Sequence, residues 1–251
     1  MPTPLDLLRD PVTLTTLAIY AALIAWEHVL PARNLPLVRG WRLKGLAAFV
    51  VYFSIASWLP WLWAEPLAAW KFADLSGLGR WGGALAGLLF YELGVYAWHR
   101  SMHRSTWLWR GFHQMHHSAE RLDTFGAFWF SPLDMIGWTV LSSASLTLLG
   151  LAPGAIALFA YVTMFLGVFQ HANIRTPHWL GYIVQRPESH SRHHARGVHD
   201  GNFADLPLFD LIFGTFANPR DFAPRAGFHD GASTRLLEML RFKDISTEGS
   251  R

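Results

Sequence analysis

Apolar and polar positions alternate along the chain in long blocks. Five apolar segments stand out, at 12–30, 45–64, 81–98, 133–149 and 154–170. The second and fifth hold no charged residue; the first has Glu27 and His28 near its end, the third has Glu92, and the fourth has Asp134 at its start. Each is close to the roughly 20 residues that cross a bilayer perpendicularly. The last two are the shortest, and Gly150-Leu151-Ala152-Pro153 between them stops one helix and restarts another. They predict a tight hairpin that either just crosses the membrane or dips into it. The apolar stretch 206–216 is too short to span; it is expected to pack against the neighbouring histidines or to lie at the interface. From 219 onward the chain turns polar, and 246–251 reads as a frayed tail.

The basic residues fall between these segments in an alternating way. Arg33, Arg39, Arg42 and Lys44 follow the first, whereas Lys71 and Arg80 after the second are offset by Glu65 and Asp74. Arg100, Arg104, Arg110 and Arg121 follow the third, and Arg175, Arg186, Arg192 and Arg196 follow the fifth. The positive-inside rule then gives five crossings with the N-terminus outside. The predicted fold is all-α: one domain over 1–251, a polytopic membrane bundle of four to five hydrophobic helices.

Composition agrees. Charged residues make up 16% of the chain, against about 25% in an average soluble domain. The net charge of +3 is mild, and the arginines flank apolar segments rather than forming the basic stripe of a nucleic-acid binder. There is no cysteine, which excludes disulfides, thiolate metal sites, iron–sulfur clusters and cysteine nucleophiles. The first eleven residues carry Asp6, Arg9 and Asp10 and lack the basic start and cleavage site of a secretory signal, so the first segment is expected to stay as an anchor.

Against this background the histidines are conspicuous. Eight of the thirteen fall in three clusters: His99 and His103; His113, His116 and His117; His190, His193 and His194. Residues three and four apart share a helical face, so each cluster is expected to aim its imidazoles at one point. His171 leaves the fifth segment on the same side, giving nine candidate ligands at one, cytoplasmic, membrane depth. His199 reads as an extra ligand or a supporting residue; His28, His178 and His229 are isolated and read as ordinary polar side chains. Nine nitrogens exceed what one ion needs and suit two. A zinc hydrolase would leave most of them unused, and there is no HExxH. The excess positive charge of a neutral-ligand site calls for nearby carboxylates, for which Glu92, Glu188, Asp200 and Asp205 are candidates, with Asn173 and Asn202 as further supporting residues. A His-rich membrane metal transporter is the alternative from another class. It is disfavoured because its polar ligands would sit mid-span, where this chain has almost none.

These motifs resemble the fatty acid hydroxylase superfamily, also called the sterol desaturase family. The resemblance lies in HxxxH, HxxHH, a lone His171-Ala172-Asn173 after a hairpin, and a second HxxHH, and it runs from about residue 20 to 217. It extends to Trp98-His99-Arg100, to Asn202-Phe203, and to Leu206-Pro207-Leu208-Phe209-Asp210. It implies a membrane-embedded di-iron oxidase that takes O2 and two external electrons to hydroxylate a lipid, or alternatively to desaturate one. The implied ligands are His99, His103, His113, His116, His117, His171, His190, His193 and His194. Two departures stand out: Phe128-Trp129-Phe130-Ser131-Pro132 replaces the usual Arg-x-His-Pro, and Ala204 replaces a usual glycine. The lipid is expected to enter between the third and fifth helices, into a pocket lined by Trp107, Trp109, Phe112, Phe125, Phe128, Trp129 and Phe130. With no dinucleotide or flavin motif in the chain, the electrons are expected from a ferredoxin- or cytochrome-like partner docked on Arg104, Arg110, Arg121, Arg192 and Arg196.

Overall fold

A computed structural model describes residues 1–247. Among them the fold is all-helical, as the sequence predicts, with no strand and one isolated antiparallel bridge between Ala195 and Ala226. Five long helices form the bundle: α1 (Pro11–Val29), α2 (Trp41–Trp58), α3 (Gly79–Arg104), α4 (Pro132–Leu148) and α5 (Pro153–Phe169). Local chemistry sets their starts. Pro11, Pro132 and Pro153 each occupy the first helical turn, where the missing N–H costs nothing. The Asp10 carboxylate accepts from the Thr13 N–H at 2.7 Å, and the Ser131 hydroxyl accepts from the Asp134 N–H at 3.2 Å. Gly150, at φ +57°, makes the turn between α4 and α5.

By length and composition, α1 and the continuous stretch Trp41–Leu62 are apolar enough to cross a membrane; α5 is apolar too but shorter, at 17 residues. Large apolar side chains such as Leu14, Val50, Leu85, Leu93, Val140 and Phe165 face outward, as they do on helices whose solvent is lipid. Successive helices alternate in direction. The ends of α1, α3 and α5 and the starts of α2 and α4 gather on the same side, where the histidines lie. α3 packs closely along α5: a Cβ on Gly83 would lie 2.9 Å from the Ala155 Cβ, and one on Gly87 would lie 2.6 Å from a Leu151 methyl.

At 26 residues, α3 runs about 39 Å and carries His99 and His103 out of the bundle without a break. Above the bundle sits a cap. A π-helical turn (Trp109–His113) leads into the single turn Gln114–His117. The short helices α6 (Pro187–His193), α7 (Pro207–Ile212) and α8 (Leu236–Leu240) complete it. Glu27, at the end of α1, fastens the cap to the bundle: its Oε2 accepts from the Thr124 N–H at 2.8 Å and the Asn173 N–H at 2.9 Å.

The polar segment from 219 folds back and buries Ala232, Met239 and Ile245 against Met115, Trp41 and Trp129. Gln114 clasps it, its Nε2 donating to the Lys243 carbonyl at 3.0 Å. Its scattered apolar residues suffice once they meet a complementary groove. Of the end read as frayed, residues 248–251 lie outside the described residues, while Ser246 bonds Asp244. In the stretch 206–216, Asp210 on α7 is buried, while Leu208, Leu211 and Ile212 are exposed.

The tightest approach in the bundle is at Gly45, where a Cβ would lie 2.2 Å from the Phe125 carbonyl oxygen. Gly45→Ala is expected to lose stability on the overpacking scale of about 1–3 kcal/mol. A thermal melt in detergent beside Gly167→Ala, where a Cβ meets nothing within 4 Å, checks this: only the first should melt early.

Candidate metal centre

The structure gathers the nine predicted ligand histidines, but not cluster by cluster. His99, His103, His113, His117 and His193 form one set; His116, His171, His190 and His194 form the other. Within each set the facing nitrogen atoms lie within 4.8 Å of one another. The second and third clusters are thus split, correcting the expectation that each aims at one point. Neighbouring residues on a helix point about 100° apart, so His116 and His117 cannot share a target, nor can His193 and His194. Residues four apart can. His99 pairs with His103, His113 with His117, and His190 with His194. The π-helical turn places His113 for its pairing.

Backbone carbonyls fix how several of these rings are protonated. The Nδ1 of His99 lies 2.7 Å from the Phe203 carbonyl, that of His193 2.6 Å from the Gly201 carbonyl, and that of His171 2.6 Å from the Gly167 carbonyl. A carbonyl only accepts, so each Nδ1 carries the proton and donates, leaving a bare lone pair on Nε2. Those lone pairs are pressed together. His99 Nε2 is 3.1 Å from His193 Nε2 and 2.9 Å from His113 Nε2; His171 Nε2 is 3.0 Å from both His116 Nε2 and His190 Nε2. The Nε2 atoms of His103 and His117 are buried without a hydrogen-bond partner. Two lone pairs at such distances repel, and a cation in each set turns that repulsion into coordination. The donor set, all neutral imidazole, therefore fits two borderline transition-metal ions.

The loop 199–203 presents the two carbonyls to His99 and His193. His199, Gly201 and Asn202 all have positive φ (44°, 74° and 54°). At Gly201 a Cβ would lie 2.7 Å from the Thr215 carbonyl oxygen, so only glycine fits. The Asn202 amide locks the loop, its Nδ2 donating to the Ser189 and Ala217 carbonyls and its Oδ1 accepting from the Ala217 N–H. Asp210 accepts from the N–H groups of Phe203 and Ala204 at 2.8 and 2.9 Å. His199 joins neither set; its Nδ1 abuts the back of His117 at 3.0 Å. His28, His178 and His229 lie outside both.

An apolar cavity of about 290 Å³ runs down from the histidines into the bundle. His99, His113, His116, His171 and His190 close its inner end, and Tyr52, Tyr91, Phe128, Phe130, Trp138 and Phe159 form much of its wall. Of the aromatic residues expected there, only Phe128 and Phe130 line it. Trp107 is exposed, Phe112 packs on Trp98, and Trp109, Phe125 and Trp129 pack elsewhere in the cap. The cavity is lined from both α3 (Tyr91, Val95, His99) and α5 (Phe159 to Gly167), the helices between which the lipid is expected to enter.

Residues 84–215, a little over half of the chain, match the fatty acid hydroxylase family. The chain belongs to that family. Among curated relatives, the ornithine lipid hydroxylase OlsE of Rhizobium tropici is 35% identical over 138 residues, 53% of this chain and 41% of that protein. The very-long-chain aldehyde decarbonylase GL1-1 of rice is 35% identical over 167 residues, 59% of this chain and 26% of that protein. Human cholesterol 25-hydroxylase is 28% identical over 140 residues, 51% of this chain and 48% of that protein. The matched part of the chain thus spans about a quarter to a half of these relatives. No solved structure matches it.

The supporting carboxylates of this family member differ from those expected. Glu92 accepts from the N–H groups of Asp205 and Leu206 at 2.9 and 3.0 Å. Glu188 holds Thr176 and pairs with Arg186 at 3.4 Å. Asp205 accepts from Gln170 Nε2 at 2.7 Å, and Asp200 is exposed. Asn173 likewise serves the framework, bonding Arg33. The carboxylate that does reach an imidazole is Asp134, whose Oδ2 accepts from His113 Nδ1 at 2.9 Å. It was legible as a lone acid opening an otherwise uncharged apolar segment, the same signal that picked out Glu92. Ser131, where the family usually has histidine, caps α4 and donates to the carbonyls of Gly111 and Phe112, tying Asp134 to the π-helical turn.

Burial, and then neighbouring imidazoles, hold His103, His113, His116, His117, His190, His193 and His194 well below the ordinary imidazole range. Burial brings His171 and His199 down to about 4. All are therefore neutral at pH 7, the form that can bind metal. The unfolded chain protonates its histidines near pH 6.5. Between there and about pH 4 it binds more protons than the folded one, so stability falls with pH across that window. The melting temperature of chelator-treated protein should drop from pH 7 to pH 4.5; a flat profile would contradict neutral burial. Asp134→Ala should weaken metal binding about 10–100-fold in a chelator competition, with Asp200→Ala unchanged.

Proposed function

We propose that this chain is a membrane-bound oxygenase that hydroxylates a C–H bond of a lipid, using O2 and external electrons at a pair of iron ions. The observation that carries this reading is the junction of an apolar cavity with both histidine sets. A lipid chain in the cavity would meet the ligands end-on, where water is scarce. His99, His103, His113, His117 and His193 would hold one ion and His116, His171, His190 and His194 the other. Iron bound there supplies the oxidising power that an unactivated C–H bond requires and that no side chain has. The protein contributes the rest. Carbonyl-anchored rings keep their lone pairs aimed inward, Asp134 orients His113, and the walls of Tyr52, Phe128, Phe130 and Trp138 position the chain and exclude water.

The names of the relatives support lipid hydroxylation as the reaction class. The five helices, alternating in direction with the histidines at one end, support five crossings with the cap on the cytoplasmic side. There the exposed Arg104 would meet an acidic one-electron carrier.

The test is metal content and O2-dependent turnover of membrane-expressed protein beside a His116→Ala/His117→Ala variant, which removes one ligand from each set. About two irons per chain are expected, with a lipid product one oxygen heavier; both should be lost in the variant. A metal content below one ion per chain that iron reconstitution does not restore would overturn the reading.

A further inference from the structure

The cavity has a direction, and that direction bears on which part of a lipid reaches the histidines. On α5 it is lined from Phe159 to Gln170, a rise of about 16 Å. This is about half the thickness of a bilayer's hydrocarbon core, roughly 30 Å. On α4 it runs from Trp138 beside His99 to Leu146, near the opposite end of the helix. It is a narrow tube parallel to the helices, and its far end is formed by half-buried residues of three of them: Thr16 on α1, Ala56 on α2 and Ala160 on α5. All three lie in the half of the bundle remote from the histidines, so the tube reaches down to the depth of the bilayer core.

The chemistry of the tube matches. Among the described residues its lining contains no lysine or arginine, and its one aspartate, the half-buried Asp205, accepts from Gln170 Nε2 at 2.7 Å. A phosphate or carboxylate drawn along this wall would be stripped of water with no basic side chain to meet it. A lipid headgroup belongs at a membrane interface. At the depth of the bilayer core, what is available to enter is the free end of a chain.

We propose that the tube admits an alkyl chain by its headgroup-distal end, so that the carbons presented to the metal ligands are those near the chain terminus, with the headgroup left outside. This rests on the oxygenase reading for its consequence, oxidation near the chain end, but the binding polarity stands or falls separately.

The test uses iron-loaded protein in bilayer nanodiscs and two photoreactive saturated fatty acids. One carries a diazirine at its methyl end, the other beside its carboxyl. The methyl-end probe should label the inner wall, in peptides containing Phe128, Phe130 or Trp138; the carboxyl-side probe should not. Ala160→Trp and, separately, Ala56→Phe block the tube from two walls, and each should reduce inner-wall labelling to background while metal content and helicity stay at wild-type values. Inner-wall labelling by the carboxyl-side probe would overturn the proposal, as would undiminished labelling in either folded variant. Correct labelling without O2-dependent turnover would refute the oxygenase reading and leave this one standing; turnover placing the oxygen next to the headgroup would do the reverse.

Discussion

The crowding of bare imidazole nitrogens is the constraint on which the rest of the structure depends. His99, His171 and His193 each spend their one proton on a backbone carbonyl, so their remaining nitrogens can only accept. Holding such atoms about 3 Å apart in a buried space is unfavourable unless a cation sits among them. Burial keeps the rings neutral, which spares the protein the larger cost of packed positive charges and leaves every lone pair available.

Much of the cap is explicable as support for that arrangement. The left-handed backbone at His199, Gly201 and Asn202 brings two carbonyls to bear on two rings. Asn202 and Asp210 then satisfy the polar groups that such a tight loop would otherwise strand. Glu92 does the same for the N–H groups of Asp205 and Leu206, and Glu27 for those of Thr124 and Asn173. Glu92 reads in the sequence as a candidate for charge compensation at a metal site, yet like Glu27 it anchors the bundle to the cap. The two roles draw on the same chemistry, a carboxylate accepting from N–H, and only position tells them apart.

The bundle contributes a second, separable property. Small residues let α3 and α5 close on each other at one end, and the space left among the five long helices becomes the cavity. Its apolar walls and the histidines at its end are both needed for lipid oxidation, but they are set by different parts of the sequence.

The sequence by itself determined a good deal. Apolar blocks ended by proline and glycine marked the five long helices, because helix starts and stops are written in local chemistry. The i, i+4 spacing of His99 and His103, of His113 and His117 and of His190 and His194 marked pairs that share a face, because helical geometry is local too. Tertiary structure alone decided which pairs meet. His193 joins His99 from 94 residues away, and His171 joins His116 from 55, through contacts no spacing encodes. It also decided that Asp134 rather than Glu188 or Asp205 accepts from an imidazole, and that the segment after Pro219 packs into the cap. Each of these depends on how close two distant pieces of chain can approach. That is fixed by the absence of a Cβ at Gly45, Gly83 and Gly87, and by which carbonyls are left free to accept a proton from a ring.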